Sequence, residues 1–265
     1  MRFIRPLLFV LLFALPICAP PVWATSYSTD QSDLWFIPAE SGWGIQFVQR
    51  GNLIFATMFV YDAAGNPIWY VATMAPTGGS FGWSGDMYLT HGTSFSAAWN
   101  PSLFTGRIVG TMTWAPQTVT NGLLSYTVDT IAVTKAIVRQ SLVADDFTGH
   151  YAGGLHETFT NCTTPANNGT FESTGPLILQ QNGNSLSMTT TPAAGVSCSY
   201  AGQMSQLGQM GGADGNYSCT NGNSGSFSLF EMQINVIGVT GRINEQSSTT
   251  ACMGTGWFGG VHTTL

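Results

Sequence analysis

The sequence predicts an all-β protein: two small antiparallel β domains, each an up-and-down barrel or a sandwich, behind a cleaved signal peptide. Three observations carry this. No long stretch shows the 3.6-residue apolar period of a helix, whereas short alternating runs recur along the chain. Those runs are separated by Gly-, Asn- and Asp-rich turns of the kind that join hairpins. Composition then divides the chain: seven of eight tryptophans lie before residue 115, while four of five cysteines lie after residue 160.

Residues 1–24 read as the signal. Arg2 and Arg5 give a positive start, Leu7 to Leu15 an apolar run too short to span a bilayer comfortably, and Val22-Trp23-Ala24 a small-residue cleavage site. Cys18 follows Leu15-Pro16-Ile17, but a lipoprotein site wants a small residue where bulky Ile17 stands, so cleavage after Ala24 is expected. The protein is then periplasmic or secreted, and the membrane enters only through export.

The first domain is expected over 25–140. Segment 44–74 carries three strands, with turns at Arg50-Gly51-Asn52 and Asp62–Asn66, the second closed by Pro67. Its middle strand, 53–61, is apolar on both faces, so either both faces are covered or one meets lipid. An outer-membrane barrel is the less favoured choice, because the strands are uneven and the loops between them long and polar. In 107–114, Ile108, Met112 and Trp114 are expected on one face. In 123–133 the alternation changes phase between Val128 and Ile131, which predicts a bulge. A short charged boundary at 136–146 precedes the second domain, 145–265. There 185–188 and 230–236 read as strands, the latter with Phe230, Met232, Ile234 and Val236 on one face. Residues 203–215 read as a flexible loop.

Cys162, Cys198, Cys219 and Cys252 remain after cleavage, an even number in an exported chain, and predict two disulfides. The similar segments 195–202 and 215–222 each place a Ser-Cys step near a tyrosine, as neighbouring antiparallel strands would. This favours Cys198–Cys219 and leaves Cys162–Cys252. Zinc is disfavoured, since no C-x-x-C pair exists and no histidine stands at ligand spacing from a cysteine.

Charge excludes one class of partner. The exported chain keeps all thirteen acids but only five of seven basic residues, a net charge of about −8. So few cations offer no phosphate footprint, and nucleic acid is not an expected partner. No cofactor is expected either: 211–215 and 221–226 are glycine-rich but precede no helix, so they are turns and not phosphate cradles. Serine chemistry lacks its G-x-S-x-G turn. His156 opens H-E-T-F-T, which departs from H-E-x-x-H, and no third metal ligand accompanies His150 and His156. The sequence sets no oligomeric state.

The candidate binding residues are Glu40, Trp43, Trp83 and Trp99. Glu40 lies between Pro38 and Gly42 in a corner flanked by Trp35 and Trp43. It is expected to accept hydrogen bonds from loop amides or a nearby tryptophan or tyrosine. Trp83 and Trp99 stand in loop-like sequence, where an exposed ring can stack on a sugar, while Trp69 and Trp114, within strands, are expected in the core. Catalysis would need a second carboxylate beside Glu40, with Asp62 or Asp86 the nearest in sequence.

Trp35, Pro38 and Glu40–Gly44, followed by Phe59, Tyr61, Asp62, Gly65, Pro67, Trp69 and Tyr70, form W-x-x-P-x-E-S-G-W-G and F-x-Y-D-x-x-G-x-P-x-W-Y segments. This stretch resembles one found in uncharacterised exported proteins of Gram-negative bacteria, a resemblance that implies export and no particular activity. The function expected from the sequence is a non-enzymatic binding or interaction module for a glycan or another small ligand. The alternatives are a cell-envelope hydrolase working with paired carboxylates and a purely structural surface protein.

Overall fold

The computed structural model describes residues 29–78 and 82–263; the expected signal segment lies outside them. The chain forms two closed eight-stranded antiparallel barrels. The first contains β1 (Asp33–Phe36), β2 (Gly44–Arg50), β3 (Leu53–Tyr61), β4 (Pro67–Pro76), β5 (Trp83–His91), β6 (Thr105–Pro116), β7 (Asn121–Val128) and β8 (Ile131–Arg139). The second contains β9 (Gly149–Thr160), β10 (Gly169–Asn182), β11 (Ser185–Ala193), β12 (Val196–Leu207), β13 (Met210–Cys219), β14 (Ser224–Ile234), β15 (Gly238–Ser247) and β16 (Met253–His262). Each strand pairs with its neighbours in sequence, and the first closes on the last: Trp35 pairs with Arg139, and Phe159 with Gly254. Closure removes the exposed sheet edges that open antiparallel sheets must protect.

Period-two alternation fills both interiors with apolar side chains. Trp35, Phe47, Met58, Met112 and Trp114 are buried in the first barrel, and Tyr151, Leu179, Met188, Leu229 and Ile243 in the second. A filled apolar interior is the reverse of the polar lumen of an outer-membrane barrel. In each barrel the segment before the first strand closes one end. Buried Gln31 accepts from the Trp35 and Trp114 indole N–H groups, each at 3.0 Å. Buried Phe147 accepts from the Tyr151 hydroxyl at 3.0 Å.

Four local expectations are corrected. Residues 203–215 are no flexible loop; they are the hairpin of β12 and β13, with Leu207 opposite Met210. The phase change at Val128 is a chain reversal between β7 and β8, not a bulge. Ile108 points outward and Val109 inward, because the ladder shifts register opposite Met87 and Tyr88. Phe230 and Met232 are likewise separated by a shift at Glu231, whose φ is 52°, so Leu229 and Met232 are the pair that faces the core. A bulge changes the face of every following residue, which alternation in sequence alone does not reveal.

The barrels meet end to end through the turn between β12 and β13. Gln209 donates its backbone N–H to Asp33 Oδ2 at 2.9 Å and its side-chain amide to the Ser32 carbonyl at 2.6 Å. Asp33 also pairs at 3.1 Å with Arg139, which is fully buried and lies over the Trp35 ring at 4.6 Å. A Cβ on Gly208 would come 2.0 Å from Asp33 Oδ2, so only glycine lets the turn approach this closely.

Candidate functional site

The end of the second barrel away from this contact is its mouth. It is framed by the β9–β10, β11–β12, β13–β14 and β15–β16 connections, and both disulfides lie there. Cys162–Cys252 ties the first of these connections to the last, and Cys198–Cys219 joins β12 to β13 where the two residues are register partners. Both are the pairs the sequence favoured.

Below the mouth lies a cavity of about 200 Å³. Glu157 on β9 and Glu245 on β15 both line it, with Tyr200, Tyr217, Phe159 and Phe171. The two acids are 8% and 7% exposed. They occupy the inward phase of their strands: Leu155 precedes Glu157 by two residues, and Ile243 precedes Glu245 by two. Between those strands, the inward positions of β16 at this level are Gly254 and Gly256, which leave room where a Cβ would strike Phe159 or Glu157.

The acids are unequally satisfied. The Tyr200 hydroxyl donates to Glu245 Oε1 at 2.6 Å, whereas Glu157 Oε1 has no hydrogen-bond partner among the described residues. Burial pushes the Glu157 carboxyl up to about 8, and the charge of Glu245 adds to the shift. Burial also raises Glu245, against the opposing hydrogen bond from Tyr200. Tyr200 and Tyr217 are raised as well, by burial first and then by Glu245. Two carboxyls that cannot both ionise cheaply hold a proton at neutral pH and present an acceptor to an incoming donor. Among the described residues no group of three or more His, Cys, Asp or Glu could hold a metal ion.

The residues named from sequence lie in the first barrel. Glu40 and Trp43 do meet: the Trp43 indole N–H donates to Glu40 Oε2 at 2.9 Å, and Lys135 pairs with the same oxygen. The Lys135 ammonium lies 4.9 Å from the Trp43 ring centre. Lys135 and Trp43 hold the Glu40 carboxylate below its usual range, and the group is open to solvent. Trp35, the other aromatic expected to hold this corner, is fully buried in the core. Trp99 is 66% exposed in the β5–β6 connection, at the same end as Glu40. Trp83 is no loop residue. It starts β5 at the opposite end, is buried, and donates its indole N–H to the Asn52 carbonyl at 3.0 Å. Its register partner Trp114 explains the burial, since both face the interior. Asp62 is spent on its own turn, accepting from the backbone N–H groups of Ala64 and Asn66, and Asp86 is exposed on β5. No cleft brings either to Glu40 among the described residues.

Trp69 is the reverse case, a strand tryptophan on the outer face. With Phe59 and Tyr61 it lines an exposed hollow of about 470 Å³ next to Gly42. A larger groove of about 920 Å³ crosses the outside of β10–β13, but its walls are short polar side chains such as Ser187, Gln203 and Asn216. Neither hollow holds a buried, unpaired polar group.

Comparison with protein-family models, curated proteins and solved structures finds no match for this chain. Fold and site therefore define the class by themselves: a two-barrel β protein whose second barrel carries two disulfides and an acid-lined mouth.

Proposed function

We propose that this is an exported, non-enzymatic binding module that takes a small ligand into the mouth of its second barrel. One observation carries the reading: Glu157 Oε1, buried and without a partner, faces a cavity. Burying an unsatisfied acceptor costs roughly 1–3 kcal/mol, a cost that a ligand donor relieves. Barrel mouths are common ligand sites. The volume, about that of seven waters at ~30 Å³ each, fits a monosaccharide or smaller molecule. Two disulfides fit an oxidising compartment, in keeping with the periplasm or the cell exterior.

The test is thermal denaturation of the exported chain with a panel of monosaccharides, amino acids and small amines, repeated on Ser173→Phe. Ser173 lines the cavity, and a phenyl ring there fills it. The reading expects at least one class to raise the melting temperature of the wild type and not of the variant. A panel without effect, or effects indifferent to Ser173→Phe, contradicts it.

One observation favours a second reading, a hydrolase: Glu157 is a carboxylic acid that stays protonated near neutral pH beside a second carboxyl, as a general acid must. Release of nitrophenol from nitrophenyl glycosides, lost in Glu157→Gln, would select it over the binding module.

A further inference from the structure

We propose that the mouth of the second barrel is a site for a small primary ammonium ion, bound between Glu157 and Glu245 against the rings of Tyr200, Tyr217 and Phe159. This deepens the binding reading above and rests on it.

Charge is the first argument. Three carboxyls line the cavity, Glu157 and Glu245 inside it and Glu172 at its rim, and no Lys, Arg or His does. His156 pairs with Glu172 on the outer face of β9 and β10, and so does not neutralise the interior. Any negative charge on the pair is therefore uncompensated in the ligand-free protein, and a buried charge without a partner is costly. A neutral sugar would satisfy hydrogen bonds and leave that charge in place. An ammonium ion does both.

Hydrogen bonding is the second. Glu157 is 8% exposed, and its Oε1 accepts nothing. Glu245 Oε1 already accepts from Tyr200. An R–NH3+ group brings three donors and no acceptor, which matches a site rich in free acceptor positions.

The walls are the third. The Tyr200 and Tyr217 rings stack at 5.4 Å between centres, and Phe159 and Phe171 meet edge-on at 5.8 Å. Aromatic faces attract cations, most strongly where water is excluded. A metal ion fits less well, since a hard cation such as calcium wants six or more oxygen ligands.

Proton linkage follows. Facing the acid pair are Tyr200 from β12 and Tyr217 from β13; β11 contributes Thr190 and Pro192, β14 Gly225 and Phe227, and β16 only glycines at this level. Glu172 lies at the rim on β10. With the Glu157 carboxyl pushed up to about 8, it holds its proton at pH 7, and an arriving cation expels that proton to solvent. Affinity therefore rises with pH from 6 toward 8.5, while the amine itself stays protonated.

The experiment is calorimetric titration of the exported chain with n-butylammonium and its neutral counterpart n-butanol, in two pH 7 buffers of different ionisation enthalpy. The proposal expects the cation to bind more tightly by about 10- to 100-fold, the worth of one charge-assisted hydrogen bond. It expects close to one proton released per ligand. Binding should be lost in Glu157→Gln and Glu245→Gln, both still carrying their disulfides, and kept in Glu40→Gln on the other barrel. Equal affinity for the alcohol, or binding without proton release, overturns the ammonium assignment. If monosaccharides or n-butanol bind and Ser173→Phe blocks them, the site stands and only the ligand class falls. If no probe binds, both readings fall.

Discussion

The Tyr200 hydroxyl donates to Glu245 Oε1 at 2.6 Å inside the second barrel, and both side chains are more than nine-tenths buried. Among the described residues this is the one side-chain donor that the acid pair receives from an opposing strand. Tyr200→Phe keeps the ring against Tyr217 and Phe227 but strips that donor. The expected cost is about 1–3 kcal/mol in urea denaturation, from a buried acceptor left unpaired. Glu245 should also titrate higher, because its opposing hydrogen bond is gone.

Stability should depend on pH in the direction set by burial. Glu157 moves from 4.5 to about 8 on folding, so between those values the folded chain holds a proton that the unfolded chain does not. The contribution is complete below pH 4.5 and is lost as pH rises through 8, on the order of 5 kcal/mol in all. Glu245 is shifted in the same direction and adds to the trend. Glu157→Gln should flatten the profile and stabilise the chain above pH 7. Denaturation midpoints at intervals from pH 4.5 to 9 check it. A wild-type curve that rises across this window contradicts the assignment.

Arg139 and Asp33 should matter for the joint between barrels. Removing the carboxylate in Asp33→Ala leaves a fully buried guanidinium without its counter-charge, a loss of about 3–5 kcal/mol. Backbone carbonyls of Ser32 and Val119 still hold Arg139, which places the effect toward the lower end. Gly208→Ala should separate the barrels without unfolding either, since its Cβ would strike Asp33 and its φ of 61° already disfavours alanine. Calorimetry should then show two transitions in place of a coupled one.

The disulfides close loops of different length. Cys162–Cys252 spans 90 residues and Cys198–Cys219 spans 21. Chain entropy gives roughly 4–5 kcal/mol for the first and about 3 for the second. Paired serine substitutions, followed by denaturation, should rank the two in that order.

Glu40→Gln should leave the melting temperature of the first barrel unchanged. The carboxylate is solvent-exposed, and a glutamine oxygen still accepts from Trp43. Nor should Glu40→Ala unfold the barrel, since water replaces the lost partner at an exposed site.

The all-β class and the disulfide pairs were legible because alternation, turn residues and cysteine context are local signals. The face of a side chain after a bulge was not, as Ile108 and Phe230 show. Trp69 and Trp83 exchanged their expected places because which side of a closing sheet faces inward is a tertiary outcome. The acid pair left a faint trace. Glu157 alternates with Leu155 and Phe159, and Glu245 with Ile243, so each acid is in phase with the apolar set of its strand. Nothing in either strand says that β9 and β15 lie one strand apart around a barrel, with glycine-bearing β16 between them.

The most direct test of the acid-lined mouth is an NMR titration of the glutamate side-chain carboxyl carbons in the ligand-free protein. Glu157 should titrate with a midpoint near 8, with Glu245 also raised, while solvent-exposed Glu40 stays below its ordinary value. A Glu157 midpoint near 4.5 would mean that its carboxylate is solvated or already paired, and the mouth would then hold no vacant acceptor for a ligand to fill.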